Sequence, residues 1–158
     1  MNFVGIIPAR YASTRFPGKP LVEISGKIMI QRVCDQVSKI LDTVYVATDD
    51  KRIFDAVKSF GGKVVMTSTE HKSGTDRVNE AYSKIVELEG KSFDVIINVQ
   101  GDEPFIQAEQ IESLMSCFTF SSVDIATLVK KIDDKDELFD INKVKVVRAI
   151  NGKALYFS

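Results

Sequence analysis

The stretch Phe3-Val4-Gly5-Ile6-Ile7-Pro8-Ala9-Arg10-Tyr11-Ala12-Ser13-Thr14-Arg15-Phe16-Pro17-Gly18-Lys19-Pro20 decides how the rest of the chain is read. It opens on an apolar run rich in β-branched residues, which reads as a strand buried on both faces. The run is too short for a signal-peptide core and has no basic flank before it. After the run comes a loop stiffened by prolines and opened by Gly18, carrying the cations Arg10, Arg15 and Lys19.

Four further apolar runs of the same kind lie downstream, at Val44 to Ala47, Val64 to Met66, Val95 to Val99 and Ile125 to Val129. Between them the period changes to that of helices. Ile30, Val33, Val37, Ile40 and Leu41 form one stripe, and Ile53, Ala56, Val57 and Phe60 a second. Val78, Ala81, Tyr82, Ile85 and Leu88 make a third, and Ile111, Leu114, Met115 and Phe118 a fourth. Strands alternating with helices predict an α/β fold with a mostly parallel sheet and helices on both faces. Val144 to Ile150 and Ala154 to Phe157 flank Asn151-Gly152, a hairpin signal, so the carboxyl-terminal portion is expected to be antiparallel.

At 158 residues the chain has the length of one domain, expected over 1–158; such a chain buries roughly two thirds of the surface it exposes when unfolded. With 44% hydrophobic and 27% charged residues it has the composition of a globular protein. Its 21 basic and 22 acidic residues give a net charge of -1, so no global field favours nucleic acid or an anionic membrane, and any anion site must be local. No apolar stretch approaches the roughly 20 residues that span a bilayer, and the cytoplasm is the expected compartment. Cys34 and Cys117 lie far apart without CxxC spacing, and read as free, buried thiols.

In parallel α/β sheets ligands bind at the carboxyl ends of the strands, near a switch in strand order, so the loops after strands are where chemistry is sought. A basic loop taken alone is most simply a solvated surface. Here the cations come directly after the first buried strand, among small residues that leave room for a ligand. Arg grips phosphate oxygens bidentately, Lys acts as a compact point charge, and turn N–H groups add donors, which together suit a triphosphate. The loop is neither a GxxxxGK[ST] loop nor a GxGxxG turn.

Asn98-Val99-Gln100-Gly101-Asp102-Glu103-Pro104 ends the fourth run with two adjacent carboxylates. Mg²⁺ uses one or two protein carboxylates plus substrate phosphates, which makes Asp102 the candidate ligand; Glu103 reads equally as a surface charge. His71-Lys72-Ser73-Gly74-Thr75-Asp76-Arg77 places hydroxyls and a glycine before a helix expected to begin near Arg77, where anions and polar ligands collect. Ser73 or Thr75 is also expected to cap that helix. His71, the single histidine, has no evident partner and receives no catalytic role.

Taken together, Ile6 to Leu21, His71 to Arg77, Asn98 to Pro104, and Val144 to Val147 with Ala154 to Ser158 after it resemble, in order and spacing, the 3-deoxy-manno-octulosonate (Kdo) cytidylyltransferases. The resemblance covers essentially the whole chain. It implies a Rossmann-like nucleotide-diphospho-sugar transferase fold and transfer of CMP from CTP to Kdo with release of pyrophosphate, for lipopolysaccharide synthesis. Carried over by residue, it implies that Arg10, Ser13, Arg15 and Lys19 contact CTP, and that Ser73, Gly74 and Gln100 lie near cytosine or ribose. Arg77 and Gln100 would face the sugar acid, Asp102 would bind Mg²⁺, and Lys19 and Asp102 would matter most for turnover. The choice of CTP over UTP rests on the resemblance alone.

The sequence departs from the family in two ways. Ile28 stands where a proline is usual after Gly26-Lys27. Family members are also longer, and their later part supplies acceptor contacts, much of a homodimer interface and a second acidic metal ligand, so the chain is expected to be a fragment. Rival readings are a cytidylyltransferase for another sugar acid, such as sialic acid or 8-amino-Kdo, and a non-catalytic nucleotide-binding module.

Overall fold

The structure is a computed structural model and describes residues 1–12 and 16–158. Two compact units divide the chain, 1–115 and 116–158.

The first unit is built on β1 (Phe3–Ala9), β4 (Val44–Thr48), β5 (Lys63–Met66) and β6 (Val95–Asn98). They pair in parallel in the order β5-β4-β1-β6. A short antiparallel pair, β2 (Glu23–Ile24) and β3 (Lys27–Ile28), leads into helix α1 (Met29–Val37). Helices α2 (Lys51–Ser59), α3 (Gly74–Glu89) and α4 (Ala108–Cys117) come after it in turn.

β1 lies inside the sheet, and Val4, Ile6 and Ile7 are fully buried. Val4 and Ile6 meet Tyr45, Ala47 and Val65 from the sheet and Val78, Ala81 and Ile85 from α3 in one cluster. Burying each such aliphatic side chain contributes about 1.5–3 kcal/mol. Gly5 faces the other way, where a Cβ would stand 3.0–3.1 Å from Leu41 and Val37, so α1 packs closely on the opposite face. Helices on both faces and a parallel sheet were expected and are found. The edge strand β6 alternates, with Val95 and Ile97 buried and Ile96 and Asn98 exposed, so only one of its faces is covered.

Boundaries shift for local reasons. The first stripe outlasts its helix: α1 ends at Val37, and Leu41 is buried through a turn in which its N–H donates to the Val37 carbonyl. α3 begins at Gly74 rather than near Arg77, because Ser73 and Asp76 close a capping box. Cys34 is buried as expected, and burial, helped by Asp35, pushes its thiol up to about 12, so it stays protonated. Cys117 is only half-buried.

In the second unit, helix α5 (Lys135–Phe139) precedes the antiparallel pair β7 (Val146–Arg148) and β8 (Ala154–Phe157). Gly152, at φ 87°, supplies the left-handed position of the expected hairpin. The strand expected at Ile125 to Val129 does not form. An apolar run becomes a strand only where its backbone finds a ladder, and none of the described strands pairs with it.

Candidate functional site

The chain runs from β1 outward to β4 and β5, then returns to lay β6 on the other side of β1. The strand order therefore switches between β1 and β6, and the loops after these strands flank the crevice where ligands bind in such sheets. Four loops meet along this carboxyl edge, and side chains tie each of them to another.

The loop after β1 meets the loop after β6. Lys19 opens the 3-10 turn Lys19–Leu21, with Gly18 before it in the left-handed region at φ 75°. That conformation is natural to glycine, and a Cβ there would also press on the Tyr11 ring at 3.1 Å. From this turn Lys19 Nζ reaches Asp102 Oδ2 at 2.7 Å. The two backbones come equally close: the Val99 N–H donates to the Ile6 carbonyl at 3.1 Å, and a Cβ on Gly101 would stand 2.9 Å from the Pro8 oxygen. Glycine is required at 101 by this approach.

Arg10 turns toward the loop after β5. Its guanidinium faces the His71 and Lys72 carbonyls at 3.5 and 3.4 Å, long contacts that aim the side chain without locking it. That loop hangs from α3. Glu80 accepts the Ser68 N–H at 2.8 Å and contacts His71 Nε2, and Lys84 Nζ donates to Glu80 at 2.6 Å and to the Met66 carbonyl at 2.7 Å. Lys84 first, then the Ser68 N–H and His71, hold the Glu80 carboxyl down to about 2. His71, without a partner in the sequence reading, thus has one.

The loop after β4 joins through two arginines. Arg52 at the start of α2 bonds Asp50 and stacks 3.3 Å from the Tyr11 ring centroid, a cation–π contact that braces the first loop. Arg77 is fully buried, donating to Asp49 Oδ2 and to Thr67 Oγ1 at 2.5 Å each. Its Nε has no hydrogen-bond partner. Arg77, which the resemblance put near the sugar acid, lies between the loops after β4 and β5, where its guanidinium pairs with Asp49 as a buried charge must.

The remaining expected residues divide between the α3 terminus and the two crevice loops. Ser73 spends its hydroxyl on the cap, accepting the Asp76 N–H at 3.1 Å and donating to Asp76 Oδ2 at 2.7 Å. Gly74 begins α3, and a Cβ on it would lie 3.7 Å from the Pro8 ring, which brings the α3 terminus beside the end of β1. Gln100 is exposed and donates to Asn98 Oδ1 at 3.3 Å. Ser13 and Arg15 lie outside the described residues. Glu80, Lys84, Asp49, Tyr11 and Arg52 escaped the sequence reading; the one available signal was that a buried arginine needs a carboxylate, and Asp49 directly follows a strand.

Among the described residues, no three His, Cys, Asp or Glu side chains cluster as metal ligands. Asp102 fits a magnesium site of a different kind. Its carboxylate is half exposed at the crevice and, among the described residues, forms a salt bridge with Lys19 alone. One carboxylate completed by substrate oxygens and water is how Mg²⁺ is usually held.

The fold and the site define an α/β protein with a parallel sheet and a crevice, lined by Lys19 and Asp102, at a strand-order switch. The family model described as Cytidylyltransferase matches residues 4–158, and the chain belongs to that family. It is 59% identical, over its whole length, to a 3-deoxy-manno-octulosonate cytidylyltransferase of Parabacteroides distasonis, covering 63% of that protein. It is also 59% identical to the protein of that name from Phocaeicola vulgatus, covering 62% of it. A solved CMP:2-keto-3-deoxy-manno-octonic acid synthetase complexed with CTP superposes with a TM-score of 0.91 at 42% identity, covering all of this chain and 64% of that one. The chain thus spans less than two thirds of these relatives.

Proposed function

We propose that this chain is the nucleotide-binding part of an enzyme that transfers CMP from CTP to 3-deoxy-manno-octulosonate. The anomeric hydroxyl of the sugar acid attacks the α-phosphorus of CTP, the bond to the β-phosphate oxygen breaks, and pyrophosphate leaves. The product, CMP-Kdo, would serve lipopolysaccharide synthesis. The observation that carries the reading is the meeting of Lys19 and Asp102 at the strand-order switch, with Arg10 on the same loop as Lys19. The relatives' names supply the nucleotide and the acceptor.

In this proposal Lys19 and Arg10 bind the triphosphate, joined by Ser13 and Arg15 from the same loop. Lys19 neutralises charge that grows on the phosphate oxygens as the bond breaks, a role in which positioned cations act most strongly. Gln100 and the backbone around Ser73 and Gly74 orient the nucleoside and the acceptor. Arg77 supports two of the loops from beneath rather than touching the sugar acid. Asp102 would hold Mg²⁺, which when bound shields the phosphates and orients them for displacement. Such transfer depends on positioning and charge more than on a nucleophilic side chain.

Pyrophosphate release in CTP, Mg²⁺ and a panel of Kdo, sialic acid and 8-amino-Kdo tests the reading, beside a full-length relative as control. Release with Kdo supports it. Release with another acceptor only rejects the acceptor assignment, and failure of the chain to bind CTP rejects the nucleotide-binding reading.

A further inference from the structure

Glu80 sits on α3 away from the proposed phosphate contacts, yet it organises the segment that faces Arg10. One carboxylate oxygen takes the Ser68 N–H at 2.8 Å and the His71 ring; the other takes Lys84 Nζ at 2.6 Å. Lys84 in turn holds the Met66 carbonyl, so both ends of the segment 66–71 are fastened to α3. A local turn tightens the middle, where the Glu70 N–H donates to Ser68 Oγ at 3.1 Å. Beyond His71 the chain enters the α3 cap at Ser73. The stretch is thereby pinned on both sides of the two carbonyls that Arg10 faces.

We propose that Glu80 is a positioning residue for nucleotide binding: by fixing Ser68 and His71 it presents the His71 and Lys72 carbonyls to Arg10 and aims that guanidinium at the triphosphate. This role rests on the proposed function, in which Arg10 grips the nucleotide. Arginine has many rotamers, and ordering it before the ligand arrives removes part of the entropy lost on binding. The contacts at 3.4–3.5 Å are loose enough for the guanidinium to leave for phosphate oxygens. Glu80 keeps its charge among these partners, since its carboxyl is held down to about 2.

The test is a double-mutant cycle read by calorimetric CTP binding in Mg²⁺, on wild type, Arg10→Ala, Glu80→Gln and the pair. Glu80→Gln is expected to weaken CTP binding roughly three- to tenfold, the effect of unfixing one rotamer-rich side chain. In the Arg10→Ala background it is expected to add nothing. Amide exchange of Ser68 to His71 in the nucleotide-free protein should quicken in Glu80→Gln. An equal loss with and without Arg10, or unchanged exchange, overturns the proposal. Should Glu80→Gln fail to fold, Lys84→Met, which removes one partner of the carboxylate, enters the same cycle with the same expectation. If wild type binds no CTP, or Arg10→Ala binds it as wild type does, the functional reading falls and the proposal with it. An additive cycle on a protein that binds CTP sinks this proposal alone.

Discussion

Lys19 and Asp102, 83 positions apart in sequence, form an ion pair of 2.7 Å that bridges the two loops of the crevice. Both side chains are partly exposed, at 35% and 52%, so the pair contributes about 0–1 kcal/mol to stability and is easily exchanged. In the proposed complex each partner trades the other for the arriving ligand: Lys19 turns to phosphate and Asp102 to the metal. Neither Mg²⁺ nor CTP alone satisfies both groups, whereas the two together do.

Removing the cation should therefore cost rate as well as affinity. Lys19→Ala is expected to lower turnover about 100- to 1000-fold, as loss of one donor to a developing charge does. Pyrophosphate release at saturating CTP measures it, and a near-normal rate would take Lys19 out of the chemistry.

Removing the carboxylate should separate metal from nucleotide. Asp102→Asn frees Lys19, so in chelator it is expected to bind CTP at least as tightly as wild type. Adding Mg²⁺ should then bring little of the gain seen with wild type. Calorimetry with and without Mg²⁺ reads both arms, and a full magnesium gain in Asp102→Asn would refute the ligand assignment.

Arg77→Ala leaves Asp49 without its buried partner and is expected to destabilise the protein by about 3–5 kcal/mol. Urea midpoints check this. Arg77→Lys should lose less, since it keeps the charge but not the second donor to Thr67.

Glu80 predicts a pH dependence with a definite sign. Its carboxyl titrates at about 2 in the folded chain against an ordinary 4.5. Below that ordinary value the unfolded chain gains a proton that the folded chain refuses. The stability contributed by Glu80 is thus complete above about 4.5 and lost progressively toward about 2. Urea unfolding from pH 5 down to about 2 should fall less steeply in Glu80→Gln than in wild type; identical slopes would rule out the depressed carboxyl.

Elements with a strong local pattern were readable from sequence. β1, β4, β5 and β6 came from β-branched runs, helices α1 to α4 from their stripes, and the hairpin from Asn151-Gly152, while α5 had no stripe to announce it. Lys19 and Asp102 could be singled out because chemistry and position agree: a cation and a carboxylate each in a loop directly after a strand. Features that depended on distant partners were not legible. The Ile125 to Val129 run carries the composition of a strand but not the neighbour that would make it one. The inward turn of Arg77 toward Asp49, 28 positions earlier, leaves no signal in the local sequence. Glu80 looks like any surface glutamate on α3, since its bond to Ser68 crosses from helix to loop and leaves no mark in the local pattern.

The close approach of Gly101 to Pro8 has a wider consequence. Where a peptide oxygen rather than a side chain blocks the space, no rotamer can swing aside to admit a larger residue. The end of β1 and the turn after β6 are thereby joined along a backbone seam. Side chains that project from it, such as exposed Gln100, can vary freely, while a bulkier residue at 101 would push the two backbones apart.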